Sequence, residues 1–227
     1  MPLPRKVKMG QKVNPIGIRI GHYLPWKSRW FADNGVFKNS LIEDIKIRDG
    51  LMEKLKLAGI TGVEIDRQPK SLVVTITVSR PGVVIGRGGS GIEDVKKFIL
   101  KIMAEVRGKG KVIKDIKIDI RINEVKNPEL SALLVAGRIS GELERRIPHR
   151  RAVQKAIERV MASGALGVKV VLAGRINGAE IARREKFHQG SVPAQTLRES
   201  IDYAQVPASL KRGYVGIKVW IHKKIEV

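Results

Sequence analysis

Residues 83–92 have the sequence VVIGRGGSGI, which places four glycines among six residues, between an apolar run and a helix-like segment. Glycine lets the backbone approach a partner closely and adopt positive φ without a Cβ clash. Arg87 lies among the glycines and Lys96 follows on the next segment, while Glu93 and Asp94 suit the first turn of a helix. A cationic, glycine-lined turn at the start of a helix predicts a site that holds phosphates.

Two motifs overlap in this stretch, and they indicate different classes of protein. Gly86, Gly88 and Gly91 match the dinucleotide-binding pattern G-x-G-x-x-G, which requires a strand running directly into the first glycine. The nearest predicted strand ends at Val78, well before that glycine. Residues 85–89 match the I-G-x-x-G turn of a KH domain, in which two helices clamp about four nucleotides of single-stranded nucleic acid. We favour the KH domain and keep two alternatives, a nucleotide-binding enzyme and a surface turn without a ligand.

The composition indicates a polyanionic partner. Lysine and arginine number 44 against 22 aspartates and glutamates, which gives a formal net charge of +22 over 227 residues. Such an excess, present in both halves of the chain, is typical of proteins that bind nucleic acid. No apolar run is long enough to span a membrane and no secretory signal is recognisable, so no membrane partner is expected.

No catalytic or metal site is predicted. Cysteine is absent, which excludes disulfides and thiolate ligands, and the four histidines lack the spacing of a metal site. Each histidine is therefore interpreted as a surface or RNA-facing residue. The sequence contains no G-x-x-x-x-G-K-[ST] phosphate loop and no convincing catalytic carboxylate pair or Ser/His/Asp set. We expect a protein that is not an enzyme and has no cofactor, no metal and no small-molecule substrate.

The first half of the chain has the element order of a type-II KH domain, α-β-β-α-α-β. Ser40, with Glu43 three residues later, predicts a capped helix that continues to about Ala58 and ends at Gly59. The following predicted elements are a strand at 60–67, a strand at 72–78, a helical turn at 83–85, a helix at 92–107 and a strand at 111–122. The KH domain is assigned to residues 21–125, after a basic N-terminal arm at residues 1–20.

Residues 126–227 are predicted to form a second, α/β domain, so the fold class of the whole chain is α+β. Apolar periodicity predicts helices at 129–146 and 150–161 and strands at 168–173 and 213–222. No conformation is predicted for the basic residues 181–186 or for residues 197–203.

The candidate RNA-binding residues are cations, together with the glycines of the turn. Arg151 and Lys155 are four residues apart and therefore share a helix face. Each run of cations also has a simpler interpretation as a solvated surface, but the basic character of the whole chain favours contacts with RNA phosphates. The candidates are Arg5, Lys6, Lys8, Lys12, Arg80, Gly86, Arg87, Gly88, Gly89, Lys96, Arg145, Arg146, Arg150, Arg151, Lys155, Arg175, Arg183, Arg184 and Lys186.

Five motifs resemble the bacterial small-subunit ribosomal protein S3 family, in one consistent order along nearly the whole chain. They are GQKVNPIG at 10–17, RPGVVIG at 80–86, LERR at 143–146, GRINGAEIAR at 174–183 and GIKVWI at 216–221. Several separate motifs in register are far more specific than a single glycine turn.

The resemblance implies a structural protein in the head of the small ribosomal subunit, bound to small-subunit rRNA and to neighbouring head proteins. It also implies a place along the channel through which mRNA enters, where a basic helix helps to unwind mRNA. On this sequence that helix contains residues 150–155, and Gln154 stands where the family usually has a third cation. Ser90 and Gly91 are a second departure, which could reshape the clamp. The implied location is cytoplasmic, in a bacterial or organellar ribosome.

Overall fold

The computed structural model describes residues 12–68, 71–107 and 117–224. Contacts between residues divide the chain into two compact units. Residues 26–134 form the first unit, while residues 12–25 group with residues 135–224 in the second. The sequence instead placed its divisions after residues 20 and 125.

In its described residues, the first unit combines a four-stranded sheet with three α-helices. Its elements are β1 (Ser28–Arg29), α1 (Asn34–Lys54), β2 (Ile60–Arg67), β3 (Ser71–Val78), α2 (Pro81–Ile85), α3 (Ser90–Arg107) and β4 (Lys117–Glu124). The strand order is β1-β2-β3-β4; the β2–β3 pair is antiparallel, and the other two pairs are parallel. From α1 onward, the order α-β-β-α-α-β is the predicted KH order.

Apolar side chains of β2 and β3 pack with α1 and α3 to form the core of this unit. Burial alternates along β3, as expected for a strand with one face on a core. Gly50 has a packing role in the middle of α1, because an added Cβ would lie 2.8 Å from the Phe98 ring of α3. The largest fully buried apolar side chains are Ile47, Leu51, Ile65, Leu72, Ile76, Ile99 and Met103.

Helix α1 begins earlier than the sequence predicts. Asp33 is its N-cap and Ser40 lies inside the helix, so the predicted capping box of Ser40 and Glu43 is wrong. Both side chains are buried. Glu43 binds two arginines from other elements, a long-range contact that local spacing does not encode. The prediction for the other end is confirmed: a 3-10 turn (Lys56–Ala58) ends at Gly59, which is left-handed with φ 69°.

The second unit combines two helices with a four-stranded antiparallel sheet. Its elements are α4 (Ala132–Glu144), α5 (His149–Ala162), β5 (Gly167–Gly174), β6 (Arg183–Gly190), β7 (Ser200–Leu210) and β8 (Gly213–Lys223). The strand order is β6-β5-β8-β7. The two segments without a settled prediction thus contribute to β6 and β7. Pro207 is tolerated within β7 because this strand lies at an edge of the sheet.

The two faces of this second sheet have different coverings. Alternate residues of a strand point to opposite faces. Val170 is fully buried, and its register partner Phe187 packs edge-on against His149 of α5, with ring centroids 6.4 Å apart. We call this the helix face. Lys169 and its register partner Trp220 lie on the opposite side, which we call the open face.

A buried arginine attaches residues 12–25 to the second unit. Arg19 donates hydrogen bonds to the carbonyl oxygens of Pro15 (2.7 Å), Thr196 (2.8 Å) and Glu199 (3.0 Å). These bonds satisfy the guanidinium of a residue that is 1% exposed. The described part of the predicted basic arm is therefore attached to the connection between β6 and β7.

Candidate nucleic-acid interface

The glycine turn connects α2 to α3 and lies at the surface of the first unit. Gly86, Gly88 and Gly89 have φ values of 70°, 63° and 84°, which a residue with a side chain adopts only with strain. Arg87, between them, is exposed. We call residues 86–89 the GXXG turn. It offers a ligand both an accessible backbone and one cation.

Glycine is also required where α2 and α3 meet. A Cβ on Gly91 would lie 2.3 Å from the carbonyl oxygen of Val84, and a Cβ on Gly86 would lie 3.0 Å from the backbone nitrogen of Gly91. Ser90 is the first residue of α3, and its hydroxyl donates to the carbonyl oxygen of Arg87 (3.1 Å). Ser90 and Gly91 therefore lie in the helix and leave the four-residue turn unchanged in length.

A helix, not a strand, precedes Gly86. Helix α2 occupies the residues immediately before this glycine, and β3 ends at Val78. A dinucleotide site requires a strand that runs into the first glycine. The geometry of these residues therefore favours a KH turn over a dinucleotide loop.

The surroundings of the GXXG turn contain both cations and apolar side chains. Arg80 is exposed, and Lys96 is half-buried on the first turns of α3. Val83 and Ile85 of α2 expose 57% and 38% of their surface. Sequence reasoning did not select these two apolar residues, although a helical turn this short cannot bury all its side chains. They could contact bases, while the cations contact phosphates.

Helix α5 presents a buried apolar face and an exposed basic face. Val153 and Ile157 are among the buried residues. Arg150, Arg151 and Lys155 are exposed, as the sequence predicts for a phosphate-binding helix face.

Helical spacing sorts the exposed residues of α5 into two rows. One row, at intervals of four residues, consists of Arg151, Lys155 and Arg159. The neighbouring row consists of Arg150, Gln154 and Glu158. The first row contains only cations, whereas the second contains one cation, one neutral residue and one acid. Arg159 was not selected from the sequence, although its position four residues after Lys155 was a usable signal.

A buried histidine fixes the beginning of α5. The two ring nitrogens of His149 lie 3.1 Å from Asn177 Oδ1 and 2.8 Å from Glu185 Oε2. Burial acts to raise the pKa of Glu185, but the hydrogen bond with His149 and the nearby positive charges outweigh it, so this pKa lies below its usual value. The prediction of a surface or RNA-facing histidine is wrong here, and also for His222, which is buried beside Glu199.

The cations at the end of α4 differ from Arg175 in their surroundings. Arg145 and Arg146 are exposed, and Arg146 has a left-handed backbone with φ 63°. Arg175 is half-buried, and its Nε donates to the carbonyl oxygen of Ala179 (2.8 Å), which stabilises the intervening 3-10 turn (Ile176–Gly178). Arg145 and Arg146 therefore extend the exposed basic surface, while Arg175 has a structural contact.

The predicted basic patch on β6 is divided between the two faces of the sheet. Arg183 shares the helix face with Glu185, and its Nε lies 2.8 Å from Glu185 Oε1. Arg184 and Lys186 lie on the open face, next to Ala173 and Val171 of β5. Only these two remain together as a surface for a ligand.

The arm is only partly within the described residues. Lys12 lies over the ring of Trp220, with its Nζ 6.0 Å from the ring centroid. Arg5, Lys6 and Lys8 lie outside the described residues. In the ranges that the structure describes, no group of three or more His, Cys, Asp or Glu side chains could hold a metal ion, and no helix is long and apolar enough to cross a membrane.

Comparison with known proteins identifies both units. A KH domain model matches residues 46–130, and a model described as ribosomal protein S3, C-terminal domain, matches residues 139–221. The small ribosomal subunit protein uS3 of Clostridium novyi (strain NT) is 44% identical over 215 residues, which cover 95% of this chain and 93% of that protein. The chain belongs to the ribosomal protein S3 family.

Two further members of the S3 family show the same extent of similarity. The uS3 proteins of Persephonella marina and Xanthomonas oryzae pv. oryzae are each 46% identical over 215 residues, covering 95% of this chain and 90% and 84% of those proteins. The S3 family is a structural ribosomal family, not an enzyme family, so the alternative of a nucleotide-binding enzyme is not supported. The KH fold, the family and the ribosomal role are confirmed.

Proposed function

We propose that this S3 family member binds rRNA in the head of the small subunit and lines the channel through which mRNA enters, where it helps to unwind mRNA. Its partners are then small-subunit rRNA, mRNA and neighbouring head proteins, within a bacterial or organellar ribosome. The observation that carries the proposal is the exposed row of Arg151, Lys155 and Arg159 on α5, next to exposed Arg150. The opposite face of that helix is buried, so the cations project from a rigid support.

The proposed mechanism is neutralisation of phosphate charge. Arginine and lysine release counterions from RNA when they contact phosphates, and these contacts position the RNA without reading its sequence. Arg151 and Lys155 would hold a single strand by its backbone while translocation pulls a duplex apart. No nucleotide hydrolysis by this chain is needed, because translocation supplies the force. The GXXG turn, with Arg87 among its glycines, is proposed to contact splayed bases and phosphates of rRNA.

The rRNA proposal can be tested by binding to a head fragment of small-subunit rRNA over a salt series. Arg87→Asp/Gly88→Asp should weaken binding more than tenfold at about 0.1 M salt, because it places two acids in the turn. The control is Lys211→Ala/Lys223→Ala, which removes two positive charges from the second unit. Lys211 lies between β7 and β8, and Lys223, at the end of β8, forms an ion pair with Asp202. Wild-type binding that is weak and independent of salt would contradict the proposal of rRNA binding.

The mRNA proposal needs reconstituted small subunits in translating ribosomes. Arg150→Ala/Arg151→Ala should slow passage through an mRNA hairpin several-fold and leave passage along unstructured mRNA unchanged. The Lys211→Ala/Lys223→Ala double variant serves again as the charge-matched control. If both types of mRNA slow equally, α5 has no part in separating strands.

A further inference from the structure

Four cations from three separate segments meet on the open face of the C-terminal sheet. Lys169 belongs to the central strand β5, and Arg184 and Lys186 belong to the neighbouring strand β6. Lys12 reaches the same place from the N-terminal segment that Arg19 attaches to this unit. Sequence separation hides this grouping, because more than 150 residues lie between the first and second members along the chain.

Trp220 is the centre of the group. Trp220 is 8% exposed, and its ring centroid lies 5.6 Å from Lys169 Nζ and 6.0 Å from Lys12 Nζ. The Tyr203 ring supports it from β7, with centroids 5.1 Å apart. A cation over an indole face is attracted by the ring quadrupole, so Trp220 holds two ammonium groups close together.

The four cations are near enough to repel one another. Burial lowers the pKa of Lys169, and the charges of Lys12, Lys186 and Arg184 lower it further. Two acids of this unit have other partners: Glu185 of β6 is on the helix face with Arg183, and Glu199, just before β7, contacts His222. Within the described part of the chain, no ion pair joins any of the four cations to a carboxylate.

We propose that this cluster, Lys12, Lys169, Arg184 and Lys186 around Trp220, is a binding site for the phosphodiester backbone of rRNA. The inference rests on the proposed function, in that it takes rRNA as the polyanion. It joins the described end of the arm and the β6 patch into one site and adds Lys169 to it. An acidic peptide or a small anion would fit less well, because four cations spread over two strands and the arm match a chain of successive phosphates.

The proposed site binds the RNA backbone rather than the RNA bases. Trp220 is too buried to stack on a base, and the exposed groups are ammonium and guanidinium donors. Such contacts carry no sequence information and position the RNA. Binding of RNA should also relieve the mutual repulsion of Lys169 and its neighbours, because phosphates would neutralise cations for which the described residues provide no carboxylate.

The test uses the full-length protein and the same rRNA head fragment. Lys169→Ala/Lys186→Ala should weaken binding about tenfold at low salt and reduce the slope of log affinity against log salt by roughly 1.4–1.8, the value for two lost phosphate contacts. Lys169→Arg/Lys186→Arg keeps both charges and should bind within about threefold of wild type. The matched control is Lys211→Ala/Lys223→Ala, which removes the same charge from the same sheet and should also stay within about threefold.

Lysine acetylation of the wild-type complex gives a readout that requires no variant to fold. Lys12, Lys169 and Lys186 should be protected when the rRNA fragment is bound, whereas Lys211 should react equally with and without it. If wild type binds with a steep salt slope but these lysines are unprotected and the alanine variant matches its control, the site is wrong and the proposed function stands. If wild type itself shows no salt-dependent binding, the proposed function fails.

Discussion

Two arginines of the first unit and two lysines of the second differ in whether the protein supplies them with a carboxylate partner. In the first unit, Glu43 lies between Arg67 and Arg107, with N–O distances of 2.8 Å and 2.6 Å. In the second unit, Lys12 and Lys169 lie side by side over Trp220, and no described carboxylate pairs with either. The first group is neutralised by the protein, whereas the second is the group that we propose for a ligand.

The difference shows that a count of basic residues does not by itself locate a nucleic-acid surface. Asp44, also buried, accepts hydrogen bonds from Trp30 Nε1 (2.7 Å) and from Arg67, so two acids and two arginines form one enclosed network. Burying such charges is costly unless each has a partner. We therefore expect contacts with RNA from exposed cations that the protein does not enclose with carboxylates.

The largest effect is expected from removing the buried charge of Glu43, which neutralises two partly buried arginines. Glu43→Gln leaves Arg107 without its carboxylate and Arg67 with Asp44 as its remaining acidic partner, in a site where Glu43 is 1% exposed. We expect the first unit to lose about 3 kcal/mol of stability, the lower end of the cost of removing one partner of a buried ion pair, because Arg67 keeps Asp44 and the Arg107 side chain is 23% exposed. Hydrogen exchange of the β2 and β3 amides under increasing urea measures this for the first unit alone.

An exposed ion pair on the same sheet gives the control for that variant. Arg29 and Glu64 are 3.5 Å apart and their side chains are 54% and 43% exposed. Glu64→Gln should cost less than about 1 kcal/mol, because solvent screens a surface pair. If Glu43→Gln and Glu64→Gln lose equal amounts of stability, burial does not explain the contribution of Glu43.

Acid should weaken the neutralised network through the same carboxylate. Burial acts to raise the pKa of Glu43, but hydrogen bonds from Arg107 and Arg67 and their charges outweigh it, so the pKa lies below its ordinary value of 4.5. A carboxyl with a lower pKa in the folded state stabilises that state fully above its unfolded pKa and loses the contribution as pH falls through the folded value. The stability difference between wild type and Glu43→Gln should therefore shrink below about pH 4.5. A difference that stays constant from pH 7 to pH 3 would show that Glu43 acts through packing alone.

Local patterns predicted the elements but not these networks. β2 was predicted over the residues it occupies, because β-branched residues and a following turn are local signals. The start of α1 was missed because Ser40 and Glu43 have the spacing of a cap, whereas their burial depends on Arg67 and Arg107, which are distant in sequence. Long-range partners decide which polar residues are structural.

The residues of the candidate site were likewise predictable only where the sequence signal is local. The GXXG turn was recognisable because its three glycines lie within four consecutive residues and its chemistry is local. Lys169 was missed, since a lysine inside an apolar strand has no distinguishing neighbour in sequence; only the register with Trp220 and β6 reveals its surroundings. Arg183 was grouped with Arg184, although strand alternation places them on opposite faces.

The smallest expected effect comes from adding a cation to the exposed face of α5. Gln154 lies between Arg150 and Glu158 in the mixed row of that helix, beside the row of cations that contains Lys155. Gln154→Lys should raise affinity for single-stranded RNA only about two- to threefold and steepen the salt slope by roughly 0.7, the value for one added phosphate contact. Gln154→Met is the neutral control and should leave both unchanged. Since Arg159 already extends the neighbouring row, a much larger gain for Gln154→Lys would mean that the phosphates follow the mixed row instead, and the strand path assigned to Arg151 and Lys155 would have to move by one residue around the helix.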